Sequence, residues 1–221
     1  MSMLDGLLRL LFPPKCILCQ RLLQNQETDL CKNCRQQVRE FSYAKKKFSF
    51  IASWTALWYY EDTVRASLLR YKFLSFSSYA GAYGRLLAMR LLSDEMTDFD
   101  ILTWVPISAK RKRNRGYDQV ELLARAVGRE LSVKPVRTLR KHRHAPPQSG
   151  IADAAARRAN VLGAYTALNP QLLKGKRILL LDDIITTGAT ASECARTLLT
   201  AGAEEVIFAA IAVTEHKQNS R

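Results

Sequence analysis

Long apolar stretches are missing from this sequence. The longest uninterrupted run is Val206 to Val213, far short of the ~18 residues that a membrane-spanning helix requires, so no transmembrane segment is expected. The opening residues, MSMLDGLLRLLFPPKC, contain Asp5 and Arg9 but no basic leader or small-residue cleavage site. That excludes a secretory signal and makes a reducing, cytoplasmic location the default. Leu4, Leu7, Leu8 and Leu11 stand there at helical spacing and read as a short helix docked on the protein's own core. Repeats and low-complexity tracts are lacking. The composition, 48% hydrophobic and 24% charged, is not that of a disordered chain. No Gly-Lys-Ser/Thr phosphate loop occurs, and no Ser/His/Asp or Cys/His arrangement suggests nucleophilic catalysis. His142 and His144 have no metal-ligand company in the sequence and read as loop residues.

Acidic residues are also scarce, 20 against 34 Lys and Arg, for a formal net charge of +14. The excess is localised. Residues 110–158 hold 14 basic and 4 acidic side chains, residues 1–50 hold 9 and 4, and the remaining segments are near balance. A block of net +10 attracts polyanions, whether nucleic acid or phosphorylated small molecules. At ~100–200 residues per domain, 221 residues allow one sizeable domain and a small satellite.

Four of the five cysteines fall within the first forty residues. Cys16, Cys19, Cys31 and Cys34 form C-x2-C-x11-C-x2-C. Each x2 turn lets two sulfurs face one ion, and two such turns supply four thiolates to a tetrahedron. In a reducing compartment the metal reading is favoured over two disulfides, with zinc favoured over an iron–sulfur cluster. Four cysteines close the coordination shell, so the site is structural. Residues 1–47 are therefore assigned to an N-terminal helix and zinc module, and 48–221 to a larger domain that is expected to survive loss of the metal. The fifth cysteine, Cys194, reads as a small buried hydrophobe.

In the larger part, residues 50–60 (FIASWTALWYY) are aromatic and alternating, a strand signature. Helices are expected over Asp62–Tyr71, with Asp62 as N-cap, over Tyr79–Leu92 and over Asp118–Leu131, with a buried strand over Asp100–Ile107. KRILLLDD is an apolar strand capped by two carboxylates, TTGATASECARTLLTAG runs from a loop into a helix, and EEVIFAAIAV is another buried strand. This βαβ unit indicates an α/β fold with a mainly parallel sheet.

Chemistry concentrates where those strands end, the place ligands occupy in open α/β sheets. Thr186, Thr187, Gly188, Ala189 and Thr190 offer backbone N–H groups and three hydroxyls before a helix N-terminus, a phosphate cradle. Asp182 and Asp183 precede it. Carboxylates repel phosphate but accept hydrogen bonds from neutral hydroxyls, so the pair and the loop together ask for a ribose phosphate. A second element is Val105-Pro106-Ile107-Ser108-Ala109 followed by five basic residues in the six positions 110–115, then Gly116, Tyr117, Asp118 and Gln119. Read as a loop, it offers arginines as bidentate donors for phosphate groups. Arg113, Arg115 and Gly116, at the bend, are the candidates for that task, and Lys110, Arg111 and Lys112 are assigned to a solvated face or to nucleic acid. A third segment, Arg140 to Gly150, is a proline-marked loop followed by Arg157, Arg158 and Asn160.

LLLDDIITTGAT resembles the phosphoribosyl-pyrophosphate motif of type I phosphoribosyltransferases. The cysteine module, aromatic strand, VPIS…RGYDQ segment, Pro-Gln-Ser loop and that motif, in this order, resemble the ComF family of competence-associated, phosphoribosyltransferase-like bacterial proteins over nearly the whole chain. Tyr117 and Asp118 depart from the Phe and Asn commoner in that family's RGFNQ, putting a carboxylate beside the basic segment. The resemblance implies a type I phosphoribosyltransferase fold and binding of phosphoribosyl pyrophosphate, with Asp182 and Asp183 on the ribose hydroxyls, residues 186–190 around the 5-phosphate, and Arg113, Arg115 and Gly116 gripping pyrophosphate. It further implies Mg²⁺ accompanying the ligand, a mobile loop over the site from residues 140–150, and a part in uptake and processing of transforming DNA beside the membrane uptake machinery and its proteins. Two rivals are a single-stranded DNA-binding accessory protein on a non-catalytic fold and a sensor that binds phosphoribosyl pyrophosphate without turnover.

Overall fold

The computed structural model describes residues 13–24, 26–42, 47–73, 76–142 and 161–215. The leucines of residues 1–12, Lys45 and Lys46, and the segment from Arg143 through Asn160, including His144, lie outside the described residues. A helix α1 (Lys32–Gln37) follows the first cysteine pair, then β1 (Trp54–Tyr59), α2 (Asp62–Phe73), α3 (Tyr79–Ser93), β2 (Ile101–Trp104), α4 (Ala109–Arg115) and α5 (Gln119–Glu130). The chain continues through β3 (Leu139–Lys141), β4 (Tyr165–Ala167), α6 (Pro170–Leu173), β5 (Arg177–Ile185), α7 (Ala189–Thr200) and β6 (Glu205–Val213). No helix among the described residues is long and apolar enough to cross a membrane.

Four strands form a parallel sheet in the order β1-β6-β5-β2, and β3 pairs with β4 in an antiparallel hairpin. In the middle of the sheet, Leu179, Leu180 and Leu181 are fully buried, because helices cover both faces. Each contributes ~1.5–3 kcal/mol relative to exposure. Leu179, Leu181, Ile207 and Ala209 belong to one packed layer with Val64, Leu68, Leu87 and Leu123 from α2, α3 and α5. Ile178, Leu180, Phe208 and Ala210 belong to the other with Ala191, Cys194 and Leu198 from α7. Side-chain alternation along each strand produces this division.

The first strand is buried on both faces from Trp54 to Trp58. Phe41 and Phe48 help to cover it. Their rings stand 4.7 and 4.9 Å from the Trp54 ring. The α2 helix begins at Asp62 itself, with Glu61 O accepting from Val64 and Arg65 N–H, so Asp62 sits one position inside the expected cap.

The cysteine module shares the larger domain's core. Ile17 and Leu18, the two residues inside the first C-x2-C turn, are buried against α2 and α3. Ser67 Oγ donates to Ile17 O at 2.5 Å, Arg70 Nη2 to Leu18 O at 2.5 Å, and Arg85 grips Asp29 through two nitrogens. The chain leaving the module covers the outer edge of β1, with Phe41 N–H donating to Leu57 O and Tyr59 N–H to Arg39 O. That edge would otherwise expose unpaired backbone groups. Metal loss is therefore expected to destabilise the whole chain in one transition. Zinc held a thousandfold above its dissociation constant stabilises by ~4 kcal/mol, and Cys31→Ser or chelation should remove that amount from circular dichroism and tryptophan fluorescence melts alike. A tryptophan transition unmoved by chelation would show that the module folds separately.

Candidate functional site

β5 decides where the two aspartates go. Successive side chains of a strand project to opposite faces, so Asp182 and Asp183 part company. Asp183 is 5% exposed and enters the layer of α2 and α5. There Lys72 Nζ lies 2.9 Å from Oδ1 and Gln119 Nε2 donates to Oδ2 at 2.8 Å. Asp182 is half-buried on the α7 side, and its Oδ1 accepts the Asp183 N–H at 2.8 Å. Burial pushes the Asp182 carboxyl up to about 8, with the charge of Asp183 adding to the effect and Lys72 and Lys141 opposing it. The neutral form of Asp182 is thereby favoured.

Asp182, Ile184, Ile185, Thr186, Gly188, Thr190 and Ala191 line a recess beyond the end of β5. Gly188 caps α7 with φ of +81°, a left-handed conformation that glycine adopts without strain. It also admits close approach, since a Cβ there would overlap the Phe48 ring. Thr187 Oγ1 accepts from Ala189 N–H at 3.3 Å. Thr186, Thr187 and Thr190 keep partial exposure, whereas Gly188 and Ala189 are buried.

β2 pairs in parallel with β5, matching Trp104 to Leu181, so the segment after β2 emerges beside the recess. Residues 109–115 form the helix α4, in contrast to the loop expected from their charge. Ser108 caps its start by accepting from Arg111 N–H, and Gly116, at φ +79°, ends it with its own N–H on Lys112 O. The cap and stop signals outweigh repulsion among the basic side chains. Helical spacing sorts them: Arg111 and Arg115, at i and i+4, share a face. Arg111 and Arg115 are half-buried, while Lys110, Lys112 and Arg113 are exposed. Lys112 pairs with Glu121 at 3.3 Å. Burial lowers the pKa of Arg115 against the opposing charge of Asp183, and its guanidinium lies 4.7 Å from the Phe73 ring centroid.

Asp118 is the N-cap of α5, accepting from the N–H groups of Val120, Glu121 and Ile107 at 3.0, 3.2 and 3.3 Å. Burial raises its pKa, and those three donors counter the rise. The carboxylate that stands in the RGYDQ segment is thus committed to the backbone, not aimed at an incoming anion.

A phosphoribosyl transferase domain model matches residues 121–221, and a double zinc ribbon domain model matches residues 7–45. Competence protein F of Haemophilus influenzae is 26% identical over 215 residues, spanning 87% of this chain and 93% of that protein. Competence protein ComFC of Streptococcus pneumoniae is 28% identical over 194 residues, 85% of this chain and 77% of that one. A DNA utilization protein of Escherichia coli is 30% identical over 139 residues, a match that spans 60% of its length. These matches, two of them over most of the chain, support placing it with the ComF family. Among solved structures, glutamine phosphoribosylpyrophosphate amidotransferase from B. subtilis aligns with a TM-score of 0.44 at 22% identity, covering 64% of this chain and 30% of that one.

In this ComF-family protein the domain is of the type I phosphoribosyltransferase class, joined to a zinc ribbon. The sulfurs of Cys16, Cys19, Cys31 and Cys34 all lie within 4.8 Å of one another, and Cys19 and Cys31 are 3.7 Å apart. A tetrahedron with ~2.3 Å zinc–sulfur bonds requires edges of ~3.8 Å, so the four fit structural zinc. The aspartates do not fit magnesium in the same way. Mg²⁺ demands near-octahedral oxygens, yet both oxygens of Asp183 are engaged and burial disfavours the charged form of Asp182. Among the described residues, no cluster of three or more carboxylate, histidine or cysteine ligands forms apart from the four cysteines.

Lys72, Lys141 and Tyr165 carry no motif, and only the structure brings them to the aspartates. Lys141 Nζ donates to Tyr165 Oη at 2.9 Å. Burial pushes the Lys141 ammonium down, and the neighbouring charge of Arg111 adds to this while Asp182 opposes it. Gln119 ends the RGYDQ segment, but its partner is 64 positions away. His142 bonds Gly163 O and Thr166 Oγ1 beside the hairpin. Cys194 is fully buried in the α7 layer.

A pH dependence follows from Asp182. Its native pKa of about 8 stands above the ~3.9 of an unfolded aspartate. Between those values the native state holds a proton that the unfolded chain has released, so stability falls as pH rises across the window and levels off above it. Asp182→Asn should flatten that fall and gain relative to the parent at the alkaline end. Urea unfolding at about pH 5 and about pH 8 measures it, and parallel losses in the two proteins would contradict a raised Asp182.

Proposed function

We propose that this ComF-family protein binds phosphoribosyl pyrophosphate at the carboxyl end of its sheet and serves competence, the uptake and processing of transforming DNA. Its zinc module (1–47) and transferase-like domain (48–221) would work in the cytoplasm beside the membrane uptake machinery and its proteins. The observation that carries the reading is the recess where Asp182 meets the Thr186–Thr190 loop. The loop suits a 5-phosphate by its backbone N–H groups and hydroxyls. Asp182 suits a ribose hydroxyl, and Asp183, spent on Lys72 and Gln119, is assigned to holding those side chains in place. Arg111 and Arg115 face the site from α4 and suit the pyrophosphate; Arg113, exposed on a different face, fits that task less well. Gly116 provides the bend after them.

The reaction open to such a site is displacement of pyrophosphate at the anomeric carbon. The ribose C–O bond breaks, an acceptor lone pair forms the new bond, and the electron pair leaves on pyrophosphate. Little covalent work falls to the protein, which positions the ribose and stabilises the charge leaving it. Phosphoribosyl pyrophosphate should raise the melting temperature, since a ligand at a hundredfold its dissociation constant adds ~2.7 kcal/mol. Arg111→Gln with Arg115→Gln should abolish most of that rise. Equal shifts from ribose 5-phosphate and unrelated nucleotides would reduce the recess to a generic anion site. Pyrophosphate release on adding candidate acceptors separates turnover from sensing.

A second reading, single-stranded DNA binding, draws on the exposure of Lys110, Lys112 and Arg113 on the outer faces of α4. Arg111, grouped by sequence with Lys110 and Lys112, turns toward Lys141 instead. Changing Lys110, Lys112 and Arg113 to Gln should weaken oligonucleotide binding for all sequences alike while sparing phosphoribosyl pyrophosphate. The slope of log affinity against log salt should flatten by about 0.7 for each phosphate no longer neutralised. Fluorescence anisotropy over a salt series tests this, and absence of binding at low salt rejects a DNA role.

A further inference from the structure

On the reading that this site takes phosphoribosyl pyrophosphate, we infer that Lys72 is the protein's own counter-cation for the ligand's diphosphate, standing at Asp183 where a divalent metal would stand. Ligand binding is then largely independent of magnesium. Lys72 occupies the last turn of α2, and the residues on either side of it are fixed to the opposite wall. Tyr71 donates its hydroxyl to Gln119 O at 2.5 Å, and its carbonyl accepts from Tyr117 Oη. Phe73 lies under the Arg115 guanidinium. Lys72 is thereby held between β5 and the junction of α4 with α5.

Its side chain keeps 17% of its surface exposed, against 8% for Asp183, so the ammonium forms the outer member of the pair. An ammonium has three donors, and among the described residues Asp183 is its one ion-pair partner. A buried pair of this kind is weak support for stability by itself, which leaves its position to be explained by something other than folding. Charge supplies the explanation. Lys72 and Arg115 both act on the single carboxylate of Asp183, and on the other face Lys141 acts on Asp182 with Arg111 beside that lysine. Four cations gather at the end of β5 about two aspartates, and burial favours the neutral form of Asp182. A diphosphate ester brings the missing negative charge. With Lys72 in place, Asp183 needs no metal to bring it to terms with that anion.

The test uses the full-length zinc-loaded protein and phosphoribosyl pyrophosphate, titrated calorimetrically in excess chelator weak for zinc and again in saturating Mg²⁺. The parent should bind with affinities within about threefold of each other under the two conditions. Lys72→Met alone strands a buried carboxylate and can unfold the chain, so the decisive variant is Lys72→Met with Asp183→Asn, which removes both charges. It should lose affinity about tenfold or more without Mg²⁺, equivalent to ~1.4 kcal/mol, and regain most of it with Mg²⁺. Lys72→Arg should behave as the parent does. A parent that binds only with Mg²⁺, or a double variant that loses nothing or loses equally in both conditions, overturns the role of Lys72. A parent that binds in neither condition instead overturns the phosphoribosyl reading on which it rests.

Discussion

A strand buried on both faces must hand successive side chains to opposite layers, and β5 applies that constraint at its carboxyl end, where the site forms. Asp182 goes to the α7 layer and lines the recess. Asp183 goes to the α2–α5 layer and is closed in by Lys72 and Gln119. One dipeptide therefore supplies two different environments. Burial raises the pKa of the carboxyl nearer the recess, and the other carboxyl is ion-paired with Lys72. Burial without a matched partner raises a carboxylate's pKa, while a lysine at salt-bridge distance favours the charged form.

The same constraint arranges the cations. Because α4 follows β2 and β2 lies against β5, its face bearing Arg111 and Arg115 comes to the end of the motif strand. The short hairpin β3–β4 delivers Lys141 to the other side, and the end of α2 delivers Lys72. Each cation comes from a different element except the arginine pair, so the positive field of the site depends on how the layers pack rather than on one basic loop. Asp118 stays out of that field because three backbone donors claim it. Its presence in place of a neutral amide is compatible with an anion-binding segment for that reason.

The zinc ribbon has a structural part beyond its own fold. Its apolar turn residues Ile17 and Leu18 enter the α2–α3 layer, and the chain that leaves it seals the edge of β1. Farther along, Phe48 packs against Gly188 of the phosphate loop. The module thus packs into one layer of the core, and the chain that follows it places Phe48 in the other layer, against the phosphate loop.

The amino-acid sequence alone carried the cysteine spacing, the parallel βαβ unit, the DD-TTGAT motif and the concentration of positive charge. Each is a local pattern, set by the spacing of sulfurs around one ion or by apolar runs and loop residues contiguous in the chain. It also marked Gly116 as a bend, and the family resemblance marked Tyr117 and Asp118 as departures, though the helix between Ser108 and Gly116 was hidden by its own basic composition. What the tertiary structure decided were the pairings between distant elements. Lys72 with Asp183, Gln119 with Asp183, Lys141 with Tyr165 and Phe48 against Gly188 have no signature in residue spacing. They arise because helices from separate parts of the chain must bury their apolar faces on one sheet, and that packing fixes which polar side chains meet at its end.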